Sequence, residues 1–286
     1  MTFRFIAGHA SAWPVAWRCE ASEVSASGCH AWAARADSPT ERWRQQLVAA
    51  MHEIRAEMTG RYGSRRMTAE LNARGHECSE NTVATLMTAH GIQARTRRRF
   101  VRTTDSDHRL PVAANLLARN FEPSGPDQSL CTDIIYILTH EGWLYRAGVE
   151  DLFSRMVVGW SMAATMESRL VMDAVEMAIA RRRPDAGLLA HSDRGSQYAS
   201  DHDQRAGAGI VCGMSAVGQC WDNAPVESLF GRLKCELGVE LFESRDQART
   251  LVFEYLEVFY NRVRRHSALR YVSPIEYERA HDQTHR

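Results

Sequence analysis

Apolar positions recur along the chain with two different periods, and the change of period divides it. Between residues 41 and 59, Trp43, Leu47, Ala50, Met51, Ile54 and Met58 keep the spacing of one buried helical face. Gly60-Arg61-Tyr62-Gly63 interrupts that face. Ser64 is placed to cap a second helix, Arg65 to Ala73, ending at Gly75. Ser79 is placed to cap a third, Glu80 to His90, ending at Gly91. Two short helices joined by a Gly-containing turn predict a helix-turn-helix whose second member is the recognition helix. A three-helix bundle without a DNA partner has the same periodicity.

From residue 128 the period shortens to two. Leu130 to Leu138 is rich in β-branched and aromatic residues and predicts a strand, with one charge, Asp133, in its middle. A charge there is costly unless it is paired or bound to metal, the plain alternative being a carboxylate bonded to local backbone. Trp143 to Val149 and Met156 to Ala163 read as two further strands, the first pair turning near Glu141-Gly142. Arg169 to Arg182 reads as a helix capped by Ser168, with Leu170, Ala174, Val175, Met177 and Ala178 as its apolar face, stopped by Pro184. Leu188-Leu189-Ala190 is a short buried strand that leads into Asp193 and the turn signal Arg194-Gly195. Open α/β sheets carry their sites at such carboxyl ends. A short strand follows around Ile210-Val211-Cys212.

Asp222-Asn223-Ala224-Pro225 reads as a helix start, with a capping Asp or Asn and Pro in the first turn. Val226, Leu229, Phe230, Leu233 and Leu237 form the buried stripe of that helix. Glu227 lies one residue off the stripe. Lys234, the only lysine in the chain, lies seven residues on and shares a face with Glu227. A carboxylate and a cation on one face suit a site that holds metal and phosphate together. Ser244 to Phe259 predicts a last amphipathic helix packed on the domain before it, followed by Arg262, Arg264, Arg265 and His266 as a basic edge facing DNA or as a solvated terminus.

Composition changes this picture little, but charge distribution changes it more. The net charge of the 286 residues is zero, which at first argues against a DNA binder. Residues 41–110, however, hold 13 basic and 8 acidic side chains, residues 111–243 hold 11 and 18, and residues 244–286 hold 8 and 6. Basic flanks around an acidic middle fit a metal-dependent catalytic domain between DNA-gripping ends. Arg95, Arg97, Arg98, Arg99 and Arg102 fall within eight residues, a run suited to phosphate oxygens or to a solvated linker. The seven cysteines are odd in number and contain no C-x-x-C pair, which favours a reducing compartment and excludes a zinc module of that spacing. No apolar run approaches a membrane span, and the N-terminus lacks the form of a signal peptide, so a cytoplasmic protein is expected, and the resemblance described below implies a bacterial one, nucleoid-associated when bound to DNA.

Asp133, Asp193 and Glu227 together resemble the acidic triad of the DDE transposase and retroviral-integrase superfamily. His191-Ser192-Asp193-Arg194-Gly195-Ser196-Gln197-Tyr198 and Trp221-Asp222-Asn223-Ala224-Pro225-Val226-Glu227-Ser228 are similar to the OrfB proteins of bacterial two-frame insertion sequences. So are Lys234, Tyr62-Gly63, and the ending Tyr260-Asn261-Arg262, His266-Ser267-Ala268-Leu269 and Tyr271-Val272-Ser273-Pro274. The likeness covers roughly residues 41–280.

That resemblance implies an α/β RNase H-like catalytic core, a mixed five-stranded sheet with helices, preceded by a helical helix-turn-helix domain. The expected divisions are a lead-in (1–40), a DNA-binding domain with its basic run (41–102), a linker (103–127) whose apolar piece Val112 to Leu117 docks on a neighbour, the core (128–243), and a C-terminal helix with a basic tail (244–286). It implies metal-dependent cleavage and strand transfer at element ends, with the three carboxylates as catalytic residues and as ligands of two Mg²⁺ ions, Mn²⁺ substituting. Double-stranded DNA, a homo-multimer assembled on it, and an upstream OrfA protein or fusion are the implied partners.

Lys234, Arg65, Arg66, the five arginines of the basic run, Arg264 and Arg265 are the candidate DNA contacts, with His191 and Asn223 in support. His191 either orients a metal ligand, touches DNA or is a plain core histidine. Asp151 and Asp222 compete as carboxylates but read as a turn-fixing residue and a helix cap. Asp193 and Glu227 have 33 residues between them where the family typically has 35, the segment 201–209 is polar and glycine-rich, and Arg270 stands where the family usually has Gly. These departures motivate the alternative of a DNA-binding remnant that occupies element ends without cutting.

Overall fold

The structure, a computed structural model, describes residues 2–9, 13–95, 116–117, 120–192, 209–214 and 224–285. Three short helices lead in, α1 (Thr2–Gly8), α2 (Val15–Ala21) and α3 (Ala26–Ala33), packed on a small cluster of their own around Ile6, Cys19 and Cys29.

A three-helix bundle follows: α4 (Pro39–Glu57), α5 (Ser64–Ala73) and α6 (Glu80–Ala89). The predicted stripe of α4 is the one that is buried, with Leu47, Ala50, Met51 and Ile54 inside. Ser38 caps α4 and Pro39 opens it. Ser79 caps α6 as expected, its side chain accepting from the backbone of Thr82. Ser64 does not cap α5. It is the first helical residue, Gly63 occupies the cap position, and the Ser64 hydroxyl turns to Glu80 instead, at 3.4 Å. In the same way Ser168 begins its helix and Glu167 precedes it.

The sheet is five-stranded in the order β3-β2-β1-β4-β5, formed by β1 (Ser129–Thr139), β2 (Gly142–Asp151), β3 (Val157–Ala163), β4 (Leu189–Ser192) and β5 (Val211–Met214). The first three strands are an antiparallel meander, whereas β4 pairs parallel with β1, and β5 parallel with β4. The crossover from β3 to β4 carries α7 (Ser168–Arg182), whose buried residues are Leu170, Val171, Ala174, Val175 and Ala178. This is the mixed RNase H-like arrangement the sequence leads one to expect.

Each face of the sheet has its own apolar layer. Leu130, Ala147, Val149 and Val158 pack with α7. Cys131, Ile135 and Ile137, which point the other way along β1, pack with α8 (Ala224–Leu237) and α9 (Arg245–Phe253). The cluster on this second face runs without a break into the three-helix bundle and takes in Leu117 from the preceding segment.

The predicted helix at 244–259 begins at Arg245 and continues beyond Phe253 as π-helical turns from Glu254 to Tyr260, which bury Tyr255, Leu256, Phe259 and Tyr260. The Asn261 side chain then accepts from the Val157 amide and donates to the Val157 carbonyl, both at 2.9 Å, and so pairs with β3 as a strand residue would. A final helix, α10 (Pro274–Thr284), was not expected. It opens on a full capping box made by Ser273 and Glu276.

The backbone of Gly159 in β3 lies close against α7. A Cβ there would lie 2.1 Å from the Ala174 carbonyl oxygen and 2.9 Å from the Ala178 side chain. Gly159→Ala must therefore push α7 off the sheet, an overpacking cost of about 1–3 kcal/mol or more. Urea denaturation should show a clear loss of stability for Gly159→Ala and near-neutral behaviour for Gly8→Ala, where a Cβ meets nothing within 4 Å.

Candidate active site

Asp133 sits in the middle of β1, directly across from Gly148 of β2. Alternation along the strand puts it on the same face as Ile135 and Ile137, the face covered by α8. It is half-buried, and its Oδ1 accepts the Ile134 amide at 2.7 Å. On its other side β1 meets β4, where the last rung of the parallel ladder pairs Thr132 with Ser192. Asp193 is bonded to Ser192 and, like Asn223, lies outside the described residues.

Glu227 is in the first turn of α8. The buried stripe of that helix is Val226, Leu229, Phe230 and Leu233, as expected, and Glu227 and Lys234 are exposed on its other side. His191 is fully buried in β4, opposite Cys131. A side chain so enclosed does not reach a DNA surface, which leaves the packing or orienting role. Asp151 acts as a turn residue. Its Oδ1 accepts from the amides of Phe153 and Ser154 at 2.9 Å, and its Oδ2 accepts from the Asp127 amide at 2.8 Å.

The candidate DNA contacts divide into two groups. Arg65 is exposed, with a 3.2 Å ion pair to Glu80. Arg97, Arg98, Arg99 and Arg102 lie outside the described residues. The structure corrects Arg264, which is internal, while Arg66 and Arg265 are half-buried and held by carboxylates of the protein. Arg264 is completely buried and bonds Glu236 through Nε and Nη2. Arg66 reaches the same carboxylate at 3.1 Å, and Arg265 bonds Glu70 at 2.6 Å. Arg95 donates from Nη1 to the carbonyls of Glu236 and Leu237, at 2.7 and 2.8 Å. The physical reason is the same throughout: a buried carboxylate or a helix carboxyl end claims the guanidinium. Glu236 escaped the sequence reading, although an acid three residues after Leu233, inside the apolar stripe, was a usable signal.

Among the described residues no three His, Cys, Asp or Glu side chains come together at metal-holding distance. The donor chemistry of Asp133, Asp193 and Glu227, oxygen only, fits a hard divalent cation. Also among the described residues, no helix is long and apolar enough to cross a membrane.

Residues 42–100 match the HTH-like domain family, and residues 123–220 and 208–274 match two integrase core domain families. Transposase InsF of insertion sequence IS3A from Escherichia coli (strain K12) is 40% identical over 283 residues, covering 97% of this chain and 98% of that protein. The 31 kDa protein of insertion element IS600 from Shigella sonnei is 38% identical over 269 residues, covering 93% and 98%. The chain belongs to the insertion-sequence transposase family. A solved chain of the simian T-cell lymphotropic virus intasome aligns with a TM-score of 0.46 at 14% identity, over 80% of this chain and 74% of that one. As a member of its family the transposase is a polynucleotidyl transferase, and similarity along the whole chain does not favour the non-cutting remnant.

Directly behind the candidate site the transposase buries further charge. Arg146 and Glu150 flank Gly148 on the α8 side of β2, and both are fully buried. The Arg146 guanidinium lies over the Phe230 ring of α8 at 5.2 Å, and none of its nitrogens has a hydrogen-bond partner among the described residues. Burial pulls Arg146 down to about 10 and pushes the Glu150 carboxyl up to about 8. Glu150 is therefore protonated in the folded state at pH values where the unfolded chain ionises it.

The sign follows directly. The contribution of Glu150 to stability is complete below its unfolded pKa near 4.5 and is lost progressively as pH rises towards about 8. Glu150→Gln mimics the neutral form. It should flatten the fall in stability between those limits and exceed the parent by a few kcal/mol, as an order of magnitude, at pH 8. Denaturant melts at pH 5 and pH 8 for both proteins check this.

Proposed function

We propose that the transposase cuts DNA at the ends of its element and joins the freed ends to a target, with Asp133, Asp193 and Glu227 as its catalytic carboxylates. The observation that carries this reading is the meeting of three elements. Asp133 stands on β1 beside the carboxyl end of β4, the strand that leads into Asp193, and α8, which bears Glu227, packs on β1 over the same face.

The three carboxylates would hold two Mg²⁺ ions, with Mn²⁺ as a substitute. Bound there, the cations supply Lewis acidity that stabilises charge on the attacking and leaving oxygens of an in-line displacement. The chain's own residues do the rest. The sheet holds Asp133 half-buried on the face that α8 covers. Lys234, two turns from Glu227 on the exposed face of α8, offers an ammonium to a DNA phosphate beside the carboxylates. The attacking group is water for cleavage at an element end and a DNA 3′-hydroxyl for strand transfer, so no covalent protein–DNA intermediate is needed.

End recognition falls to the bundle α4–α6. Its α6 presents Asn81, Thr85 and Thr88 on an exposed face, short polar side chains of the kind that meet base edges in the major groove. Arg65 and, in the basic run, Arg97, Arg98, Arg99 and Arg102 would hold the backbone. The divisions at 41–102, 103–127, 128–243 and 244–286 then correspond to end binding, connection, chemistry and bracing. A homo-multimer that holds two ends together, OrfA as a partner or fusion, and a cytoplasmic site of action complete the proposal.

The test is a strand-transfer assay with the element's own end DNA and Mg²⁺ or Mn²⁺, using the chain alone and fused to OrfA. Asp133→Asn, Asp193→Asn and Glu227→Gln should each lower joining by roughly 10²–10³-fold or more, as loss of a charge-stabilising group at the reacting centre does. End binding in a mobility-shift assay should stay within a few-fold of the parent. Joined product from any one of the three variants at the parental rate removes that residue from the site.

A further inference from the structure

The carboxyl end of α8 is built as a receptor for arginine, and three of its four arginines come from the region of the DNA-binding bundle. The Glu236 carboxylate accepts Arg264 at 2.8 and 2.9 Å, Arg66 at 3.1 Å and the Tyr255 hydroxyl at 3.0 Å. Burial alone would raise this carboxyl, but the hydrogen bond and charge of Arg264, with Arg66 and Tyr255 added, outweigh it and hold it below the usual carboxylate range. The Glu236 backbone carbonyl accepts Arg61 Nε at 3.2 Å and Arg95 Nη1 at 2.7 Å. Arg61 and Arg66 flank the start of α5, and Arg95 follows α6 and begins the basic run.

A second, independent feature shapes the same spot. Gly238, just past α8, takes a φ of 68°, and a Cβ there would stand 2.7 Å from Arg95 Nη1. The left-handed φ favours glycine, and a Cβ would crowd that guanidinium. The last carbonyls of a helix lack partners within it and carry the negative end of its dipole, so cations bound there fix the helix along its axis.

We propose that Arg61, Arg66 and Arg95, acting on Glu236 and the carboxyl end of α8, are positioning residues for catalysis: through them the DNA-binding bundle sets where α8 holds Glu227. Glu236 lies nine positions after Glu227, about 13.5 Å along a rigid helix and, beyond two full turns, half a revolution around it. The buried end is thereby gripped and the exposed carboxylate at the other end is aimed. This rests on the reading of Glu227 as a catalytic carboxylate. It assigns the bundle a role in the chemical step in addition to end binding, and removes Arg66 and Arg95 from the phosphate-binding set.

The experiment uses the full chain, fused to OrfA where joining requires it. Arg61→Met and Arg95→Met keep the aliphatic stems and lose the bonds to α8. Both residues are partly or well exposed, so neither leaves a charge buried. Each should lower the joining rate at saturating end DNA by roughly ten-fold, and Glu236→Gln by roughly a hundred-fold, the scale of loss from a small misplacement of a reacting group. The apparent affinity for end DNA should be unchanged, and Arg61→Lys should recover most of the rate.

In parallel, hydrogen exchange of residues 224–237 should accelerate in Arg61→Met while that of residues 168–182 stays as in the parent. Parental joining together with parental exchange in Arg61→Met and Arg95→Met overturns the proposal, as does a loss of rate matched by an equal loss of end affinity. Glu227→Gln serves as the separate control: if it joins at the parental rate, the reading of the active site fails, whatever the arginine variants do.

Discussion

The packing of one face of α8 on β1 is the contact on which the rest depends. Val226, Leu229, Phe230 and Leu233 bury themselves against the layer that holds Cys131, Ile135 and Ile137. Because side chains alternate along a strand, the same register that turns Ile135 and Ile137 inward also turns Asp133 towards α8. Because a helix repeats every 3.6 residues, burying that stripe leaves Glu227 and Lys234 outside it. A slip of one residue in the pairing of β1 with β2 would send Asp133 to the α7 side and Ile134 to the other, so core and candidate site are specified by one pattern and cannot be changed separately.

Around this contact the molecule places charge where an apolar residue would be simpler. Arg264 and Glu236 are enclosed together, and Glu70 holds Arg265 and Arg74 at 2.6 and 2.9 Å. Arg182 joins Asp127 and Glu278, which ties α7 to α10. Burial of such pairs contributes little net stability, because desolvation offsets the attraction, but removal of one partner is expensive. Their effect is to specify geometry. A guanidinium fork accepts only a few arrangements of carboxylate and carbonyl, which an ammonium on a flexible stem would not enforce. The use of arginine for every basic position but one agrees with that role, and the exception, Lys234, stands on an exposed surface.

The elements legible in the sequence were those written in apolar periodicity. The stripes of α4 and α8, the alternation of β1 and the short apolar run of β4 each determine a structure by what they must bury. The two carboxylates within the described residues, Asp133 and Glu227, were legible for the opposite reason, as charges next to strongly patterned apolar positions. What was not legible depends on pairing between distant residues. Nothing near Arg264 in the chain announces that Glu236, 28 positions away, will enclose it, so a cluster of basic residues in the tail read as a DNA-facing edge. Ser64 and Ser168 read as caps because cap preference is local, whereas the hydroxyl of Ser64 is drawn to Glu80 on another helix. For α10 the signal was present in Ser273-Pro274-Ile275-Glu276 but had been read only as the closing motif of a family.

The same lesson bears on how charge is counted. The surplus of basic residues at 41–110 pointed to a DNA-gripping flank, and the surplus at 244–286 to a second. Within the first, however, Arg66 is spent on Glu236 and Arg74 on Glu57 and Glu70, while Arg95 is directed at backbone carbonyls. Within the second, Arg264 and Arg265 face inward to the same carboxylates. Since an arginine that neutralises a protein carboxylate releases no counterion from DNA, the count of phosphate contacts must be drawn from the smaller set that remains. The two basic flanks then have a common explanation that charge scatter does not offer: part of their surplus is what binds the three-helix bundle, the tail and the carboxyl end of α8 to one another.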